Sequence, residues 1–145
     1  MKTGPPMDPH GLQHARDRIH PGCVVCNPAN ASGLKIEFQP QSDDSVMGEF
    51  LAGSEYEGYP GLLHGGVTAA LLDGAMTNCL FAHGIKALTA ELKIRFREPV
   101  HVQTKTTVCA RLTESHGRLH GLRAELRQEG QLKATALGKF IEAHE

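Results

Sequence analysis

Gly65-Gly66-Val67-Thr68-Ala69-Ala70-Leu71-Leu72-Asp73-Gly74-Ala75-Met76-Thr77-Asn78-Cys79-Leu80-Phe81-Ala82 is the stretch on which the fold turns. It has no proline, and Ala and Leu dominate it. At about 1.5 Å per residue a helix over it is roughly 27 Å long. Apolar groups lie all round such a helix: Val67, Ala70, Leu71, Leu72, Ala75, Met76, Cys79 and Leu80. A helix apolar on every face is buried on every face. In a chain of 145 residues, a sheet wrapped around the helix is the expected cover. Asp73, Asn78 and several glycines interrupt the apolar run, which reads as a core helix rather than a membrane span.

The flanking sequence supplies the sheet. After the helix, Ala90, Leu92, Ile94 and Phe96 alternate with Thr89, Glu91, Lys93, Arg95 and Arg97. Three further runs alternate in the same way: from Val102 to Leu112, from Leu122 to Arg127, and from Leu132 to Phe140. Short polar turns, His116-Gly117 and Glu129-Gly130-Gln131, separate the last three, so the four strands read as an antiparallel meander with one face on the helix. Before the helix, residues 33–38 alternate as a strand and residues 46–50 as a weaker one. Ser42-Asp43-Asp44 between them suggests a hairpin. Residues 1–33 show no periodicity and read as an irregular arm. The expectation is an α+β chain: an N-terminal arm over 1–33, and one domain over 34–145 with a long helix inside some five or six antiparallel strands.

Composition narrows the function. Lys and Arg total 15 against 16 Asp and Glu, a net charge of -1, which gives no electrostatic reason to expect nucleic acid or an anionic membrane as partner. Residues 1–20 hold no apolar run of the secretory kind, so the expected location is cytoplasmic. In that setting the four cysteines are not expected to form a disulfide framework, and Cys79 and Cys109 read as small core or sheet residues.

Two features carry chemistry. His64-Gly65-Gly66 sets two residues without side chains where the first helical N–H groups lack partners. A ligand carbonyl can approach them, and the helix dipole adds positive potential. That suits an oxyanion hole, and it suits equally a tight turn that needs glycine. Asp73 lies mid-helix with Ala69, Ala70, Met76 and Thr77 three and four positions away, none of them basic. A desolvated carboxylate has a raised pKa, useful in a general base or nucleophile; an Asp satisfied by a neighbouring N–H or hydroxyl also fits. Gly66 and Asp73 stand about two turns, roughly 10 Å, apart. They cannot reach one carbonyl together, because hydrogen-bond reach is about 3 Å. If both serve one reaction, they come from different subunits, at a two-fold dimer interface.

Gly58-Tyr59-Pro60-Gly61-Leu62-Leu63-His64-Gly65-Gly66, the helix with Leu72-Asp73, and Thr89-Ala90-Glu91-Leu92-Lys93-Ile94-Arg95-Phe96-Arg97-Glu98-Pro99 together resemble the hotdog-fold thioesterases of the phenylacetic-acid-degradation (PaaI-like) group. Cys23-Val24-Val25-Cys26-Asn27-Pro28, followed by Gly33-Leu34, is similar to one branch of it. The resemblance spans roughly residues 23–142. It implies hydrolysis of an acyl-coenzyme A thioester without a cofactor, by a dimer or a dimer of dimers. It implies that Gly65 donates its N–H to the thioester carbonyl, that His64 shapes the pocket, that Asp73 activates water or attacks, and that Thr89 orients the water. Gly66, Gly58, Asn78, Arg95 and Arg97 are the residues then expected around the substrate; Arg95 and Arg97 share the polar sheet face with Lys93, which suits contact with coenzyme A phosphates and also suits a plain solvated face. Gly58 stands where some relatives carry Asn, and Gly74 where many of this branch carry Glu.

His20-x-x-Cys23-x-x-Cys26 has ligand-like spacing, which His14 or His10 could complete, but a single Cys-x-x-Cys suits a reduced structural pair as well, and no metal is assigned to the reaction. Two other functions fit the same fold. An acyl-coenzyme A binding module would keep the pocket without needing Asp73. A hydratase or dehydratase of one related group would want a His five residues after the Asp, where this chain has Asn78.

Overall fold

The computed structural model describes residues 7–143. Helix α1 (Pro9–Ile19) is followed by strands β1 (Phe38–Pro40) and β2 (Ser45–Leu51), a 3-10 turn (Ser54–Tyr56), helix α2 (Gly65–Ala82), and strands β3 (Ala87–Phe96), β4 (Lys105–His116), β5 (Leu119–Gln128) and β6 (Gln131–Glu142). The strands form one antiparallel sheet in the order β1-β2-β4-β5-β6-β3, with α2 across it. This is the hotdog arrangement expected from the sequence. No helix among the described residues is long and apolar enough to cross a membrane.

The expected helix is the observed one, to the residue. Its core side chains Leu71, Leu72, Ala75, Met76, Cys79 and Leu80 meet Val108, Ala110, Leu122, Leu126, Ala134 and Ala136 of the sheet. Each fully buried Leu or Met contributes about 1.5–3 kcal/mol. Gly138 on β6 allows the close approach: a Cβ there would lie 2.9 Å from the Met76 sulfur. Burial is uneven along the helix. Every residue from 74 to 82 is buried, whereas Gly65, Gly66, Val67, Ala69, Ala70 and Asp73 keep some exposure.

Three expectations need correcting. First, the four long strands are not a simple meander. β4, β5 and β6 are one, because two-residue turns at 117–118 and 129–130 force neighbours to pair. Gly117 alone has positive φ in the first, and both Glu129 and Gly130 in the second, as the tight hairpin turns require. β3 pairs with β6 instead, on the far side from β4. The longer 97–104 connection does not impose adjacency, and the free edge of β4 is already taken by β2.

Second, the arm is not irregular throughout. α1 starts at Asp8, whose carboxylate accepts from the His10 N–H at 3.0 Å, with Pro9 in the first turn. Arg16 and Arg18 sit in its last turn, where the helix dipole favours cations. Leu12 is buried, and Ala15 and Ile19 pack beside it against the core. Thus α1 and the loop after it close the side of α2 that a single sheet leaves open, a cover the sequence reading assigned to the sheet alone. Residues 1–6 of the arm lie outside the described residues.

Third, the first strand is shorter than the alternation over 33–38. Lys35 has φ 57, which no strand accepts. The Leu34 and Ile36 N–H groups donate to the Val24 and Val25 carbonyls, at 2.7 and 3.0 Å, so this stretch is tied to the cysteine loop. β1 and β2 do pair as a hairpin.

Candidate active site

The site is built where α2 begins and where β3 passes it. His64 caps the helix with its side chain: Nδ1 accepts from the Gly66 N–H at 2.8 Å. Accepting there puts the proton of the neutral ring on Nε2. The Val67 and Thr68 N–H groups both donate to the His64 carbonyl, at 3.0 and 3.1 Å. Of the four N–H groups that open the helix, only that of Gly65 has no partner among the described residues. Helix geometry alone left Gly65 and Gly66 equivalent, and the resemblance pointed to Gly65; the His64 cap occupies the Gly66 N–H. The Phe96 ring flanks this N–H, 3.8 Å from where a Gly65 Cβ would stand, a neighbour the sequence reading did not identify. Gly58 lies against His64 from the loop side, and a Cβ there would touch the His64 ring at 3.5 Å, an ordinary contact.

Asp73 is two turns further along. Its Oδ1 accepts from the Thr89 hydroxyl at 2.7 Å. Burial raises the Asp73 carboxyl above the ordinary range, and the Thr89 hydrogen bond opposes part of that rise. The negative charge of Cys23 adds to it and His20 subtracts. Thr89 therefore holds one oxygen of the carboxylate directly.

Thr89 reaches Asp73 because β3 is bulged. Thr89 pairs with Phe140, which faces the core, whereas Glu91 pairs with Lys139, which faces out. Ala90 is the extra residue between them. Were the strand regular through 89–91, Thr89 and Glu91 would share the outer face, since side chains alternate. The simple alternation over 89–97 put Thr89 among the polar outer residues, and the bulge re-aims it.

Asn78, Arg95 and Arg97 are not brought to this place. Asn78 is buried; its amide donates to the Gly74 carbonyl at 2.8 Å and leans on the Cys26 thiol. It stands five residues after Asp73, about 140° round the helix. Lys93, Arg95 and Arg97 line a groove of 490 Å³ together with Arg123, on the sheet face away from α2.

Opposite the sheet, a second cluster packs on α2. His20, Cys23 and Cys26 each offer a ligand atom, all within 4.8 Å of one another; His10 and His14 do not join them. A hydrogen bond from the Cys26 thiol holds the Cys23 thiol far below its usual range, with His20 adding to the effect; the same contact and burial push Cys26 up. His20 is raised by its contact with Cys23. The loop lies flat because of Gly74, where a Cβ would come within 2.5 Å of Val25. That accounts for glycine at a position where the branch carries Glu.

Comparison with known proteins gives four further findings. The family model described as the thioesterase superfamily matches residues 60–135. Acyl-coenzyme A thioesterase THEM4 of Bos taurus is 35% identical over 114 residues, which are 75% of this chain and 47% of that protein. The chain thus spans less than half the length of the curated relatives it matches. The crystal structure of a thioesterase superfamily protein superposes with TM-score 0.78 at 30% identity, covering 82% of this chain and 59% of the other. The PaaI protein of the E. coli phenylacetic acid degradation operon also gives TM-score 0.78, over 94% of this chain and 96% of its own, a likeness of fold alone at 17% identity.

Proposed function

The chain belongs to the thioesterase superfamily, its model matching more than half of the sequence, and from that premise we propose that it hydrolyses an acyl-coenzyme A thioester at a site shared by two subunits. One observation carries the reading. A desolvated carboxylate, held by one hydroxyl, and one helix N–H without a partner among the described residues lie on the same helix about 12 Å apart. The names of the curated relatives supply the substrate class.

In the proposed reaction, the thioester carbonyl oxygen accepts from the Gly65 N–H of one protomer. Asp73 of the partner subunit removes a proton from water, and the water oxygen attacks the carbonyl carbon. The oxyanion of the tetrahedral intermediate is stabilised by the Gly65 N–H and the helix dipole. Its collapse breaks the C–S bond, and the departing thiolate takes up the proton held by Asp73. The products are a carboxylic acid and coenzyme A. Thr89 keeps one carboxylate oxygen engaged, so the other faces the water. Arg95 and Arg97 enter as a cationic patch attracting coenzyme A phosphates from the outer sheet face.

The test removes each half separately. Gly65 is the first helical residue, and His64 has ψ 135, which a following proline accepts. Gly65→Pro therefore deletes the N–H and leaves the helix start intact. Release of free thiol from acyl-coenzyme A esters is expected to fall about 10²- to 10³-fold in Gly65→Pro. Asp73→Ala is expected to be comparably impaired. Equal mixing of the two after subunit exchange should restore roughly a quarter of wild-type activity, since half the dimers then hold one intact site. No recovery in verified mixed dimers rejects the shared site, and full activity in Asp73→Ala rejects the chemistry.

A further inference from the structure

The His20, Cys23 and Cys26 cluster has no part in the proposed hydrolysis, yet it is built with care. The Cys26 N–H donates to the Cys23 sulfur at 3.3 Å, so the backbone of the turn points at that sulfur. The turn itself is tied at several points. The Cys23 N–H donates to the His20 carbonyl at 3.2 Å, and the Asn27 N–H to the Cys23 carbonyl at 3.2 Å. The Asn27 side chain donates to the His20 carbonyl at 2.9 Å. The His20 ring is held edge-on to Phe81, with centroids 5.0 Å apart and planes at 88°. Its Nδ1 is buried without a hydrogen-bond partner among the described residues. The ring meets the Cys23 sulfur, and its buried Nδ1 is a desolvation cost that no hydrogen bond among the described residues offsets.

We infer that His20, Cys23 and Cys26 bind a zinc-class divalent cation, at a site distinct from the Asp73–Thr89 pair. Two sulfurs and one imidazole are the donor set such ions prefer, and hard cations such as magnesium or calcium would reject it. Three ligand atoms already within 4.8 Å of one another need only small side-chain movements to close on one ion. The fourth tetrahedral position is left to water. Cys23 binds as the thiolate it already is, and the Cys26 thiol gives its proton to solvent. The inference does not depend on the thioesterase reading, since it uses none of the residues assigned to the reaction.

Cobalt(II) and zinc(II), added to the metal-free full chain, test this without any assay of activity. Cobalt(II) is expected to give a thiolate-to-metal charge-transfer band in the near ultraviolet, with tetrahedral visible bands, saturating at about one ion per chain. Zinc(II) should displace it and bleach the spectrum. Cys23→Ser and Cys26→Ser should lose the charge-transfer band, whereas Cys109→Ser, outside the cluster, should keep it. His20→Ala should weaken cobalt binding tenfold or more. Because the first measurement is on the wild-type chain, misfolding of a variant cannot hide the answer. Wild-type protein that shows no charge-transfer band and no zinc near one per chain, with four titratable thiols, overturns the inference. So does a Cys23–Cys26 disulfide in protein purified without oxidant, which would make the pair redox-active rather than metal-binding.

Discussion

Asp43 and Asp73 make nearly the same hydrogen bond and end in opposite states. Asp43 lies in the turn between β1 and β2 and accepts from the Ser45 hydroxyl at 2.6 Å; Asp73 accepts from the Thr89 hydroxyl at 2.7 Å. Around Asp43 there is also the Ser45 N–H at 3.2 Å, the Arg111 guanidinium at 2.9 Å, and water. Those partners, the Ser45 hydroxyl first, hold its carboxyl down to about 2. Around Asp73 there is an apolar helix, and burial outweighs the hydroxyl and pushes the carboxyl up. One hydroxyl is therefore not what decides the state of a carboxylate. The additional donors and the solvent decide it. The turn has satisfied its carboxylate for structure, and the helix has kept one able to take a proton.

Four outcomes sharpen or break this contrast. The largest is Asp73→Asn, which should lower turnover about 10²-fold or more, while Asp43→Asn leaves turnover unchanged. Equal turnover in Asp73→Asn and wild type would erase the functional side of the contrast. Next, Thr89→Val should cost about tenfold, the equivalent of a hydrogen bond to a charged group. Because that bond lowers the Asp73 pKa, its loss should move the acid limb of the kcat/KM profile to higher pH. An unmoved limb would mean that Thr89 serves packing alone.

The smaller two effects are on stability and have opposite signs. The folded pKa of Asp73 is raised, so its ionisation costs stability as pH climbs from the ordinary aspartate value, about 3.9, through the folded value. Urea unfolding should find Asp73→Asn more stable than wild type at pH 7, the difference closing as pH falls below about 4. The folded pKa of Asp43 is depressed to about 2. Its contribution is present above the ordinary value and lost as pH falls through the folded one. Asp43→Asn should therefore be less stable at pH 7, by at most about 1 kcal/mol for so exposed a group, and equal to wild type near pH 2. Shifts of the same sign in both variants would show that something other than the two environments sets stability.

Much of this was legible in the sequence because hydrophobic pattern reports burial directly. α2 could be bounded to the residue, since its Ala- and Leu-rich run holds no proline and Gly84, with φ 75, stops it. Alternation located β3 to β6, but it says which face is buried and not which strand is next, so the place of β3 beside β6 was out of reach. α1 was missed because only Leu12, Ala15 and Ile19 mark its inner face among His, Arg and Gln; the Asp8-Pro9 cap was the signal available. The choice between Gly65 and Gly66 depends on where the His64 ring folds back, which no spacing encodes. Asp73 stood out in the sequence for what it lacked, a basic neighbour on its own helix. Its actual partner, Thr89, comes from another element sixteen residues later.

The bulge at Ala90 has a consequence for comparing this chain with its relatives. A strand is a two-letter code, inward and outward, and one inserted residue inverts every letter on one side of it. Deleting Ala90 would join Thr89 directly to Glu91 and leave both facing as they do now, whereas a regular strand through all three residues would turn Thr89 to the outer face beside Glu91. In a relative built without the extra residue, the inward hydroxyl stands immediately before the residue matching Glu91, in the column that Ala90 occupies here. Matched column by column without a gap, the two chains would pair a residue that touches the carboxylate with one that faces away from it. Equivalence along this strand is therefore set by which way a side chain points, and residue counting alone will misassign it.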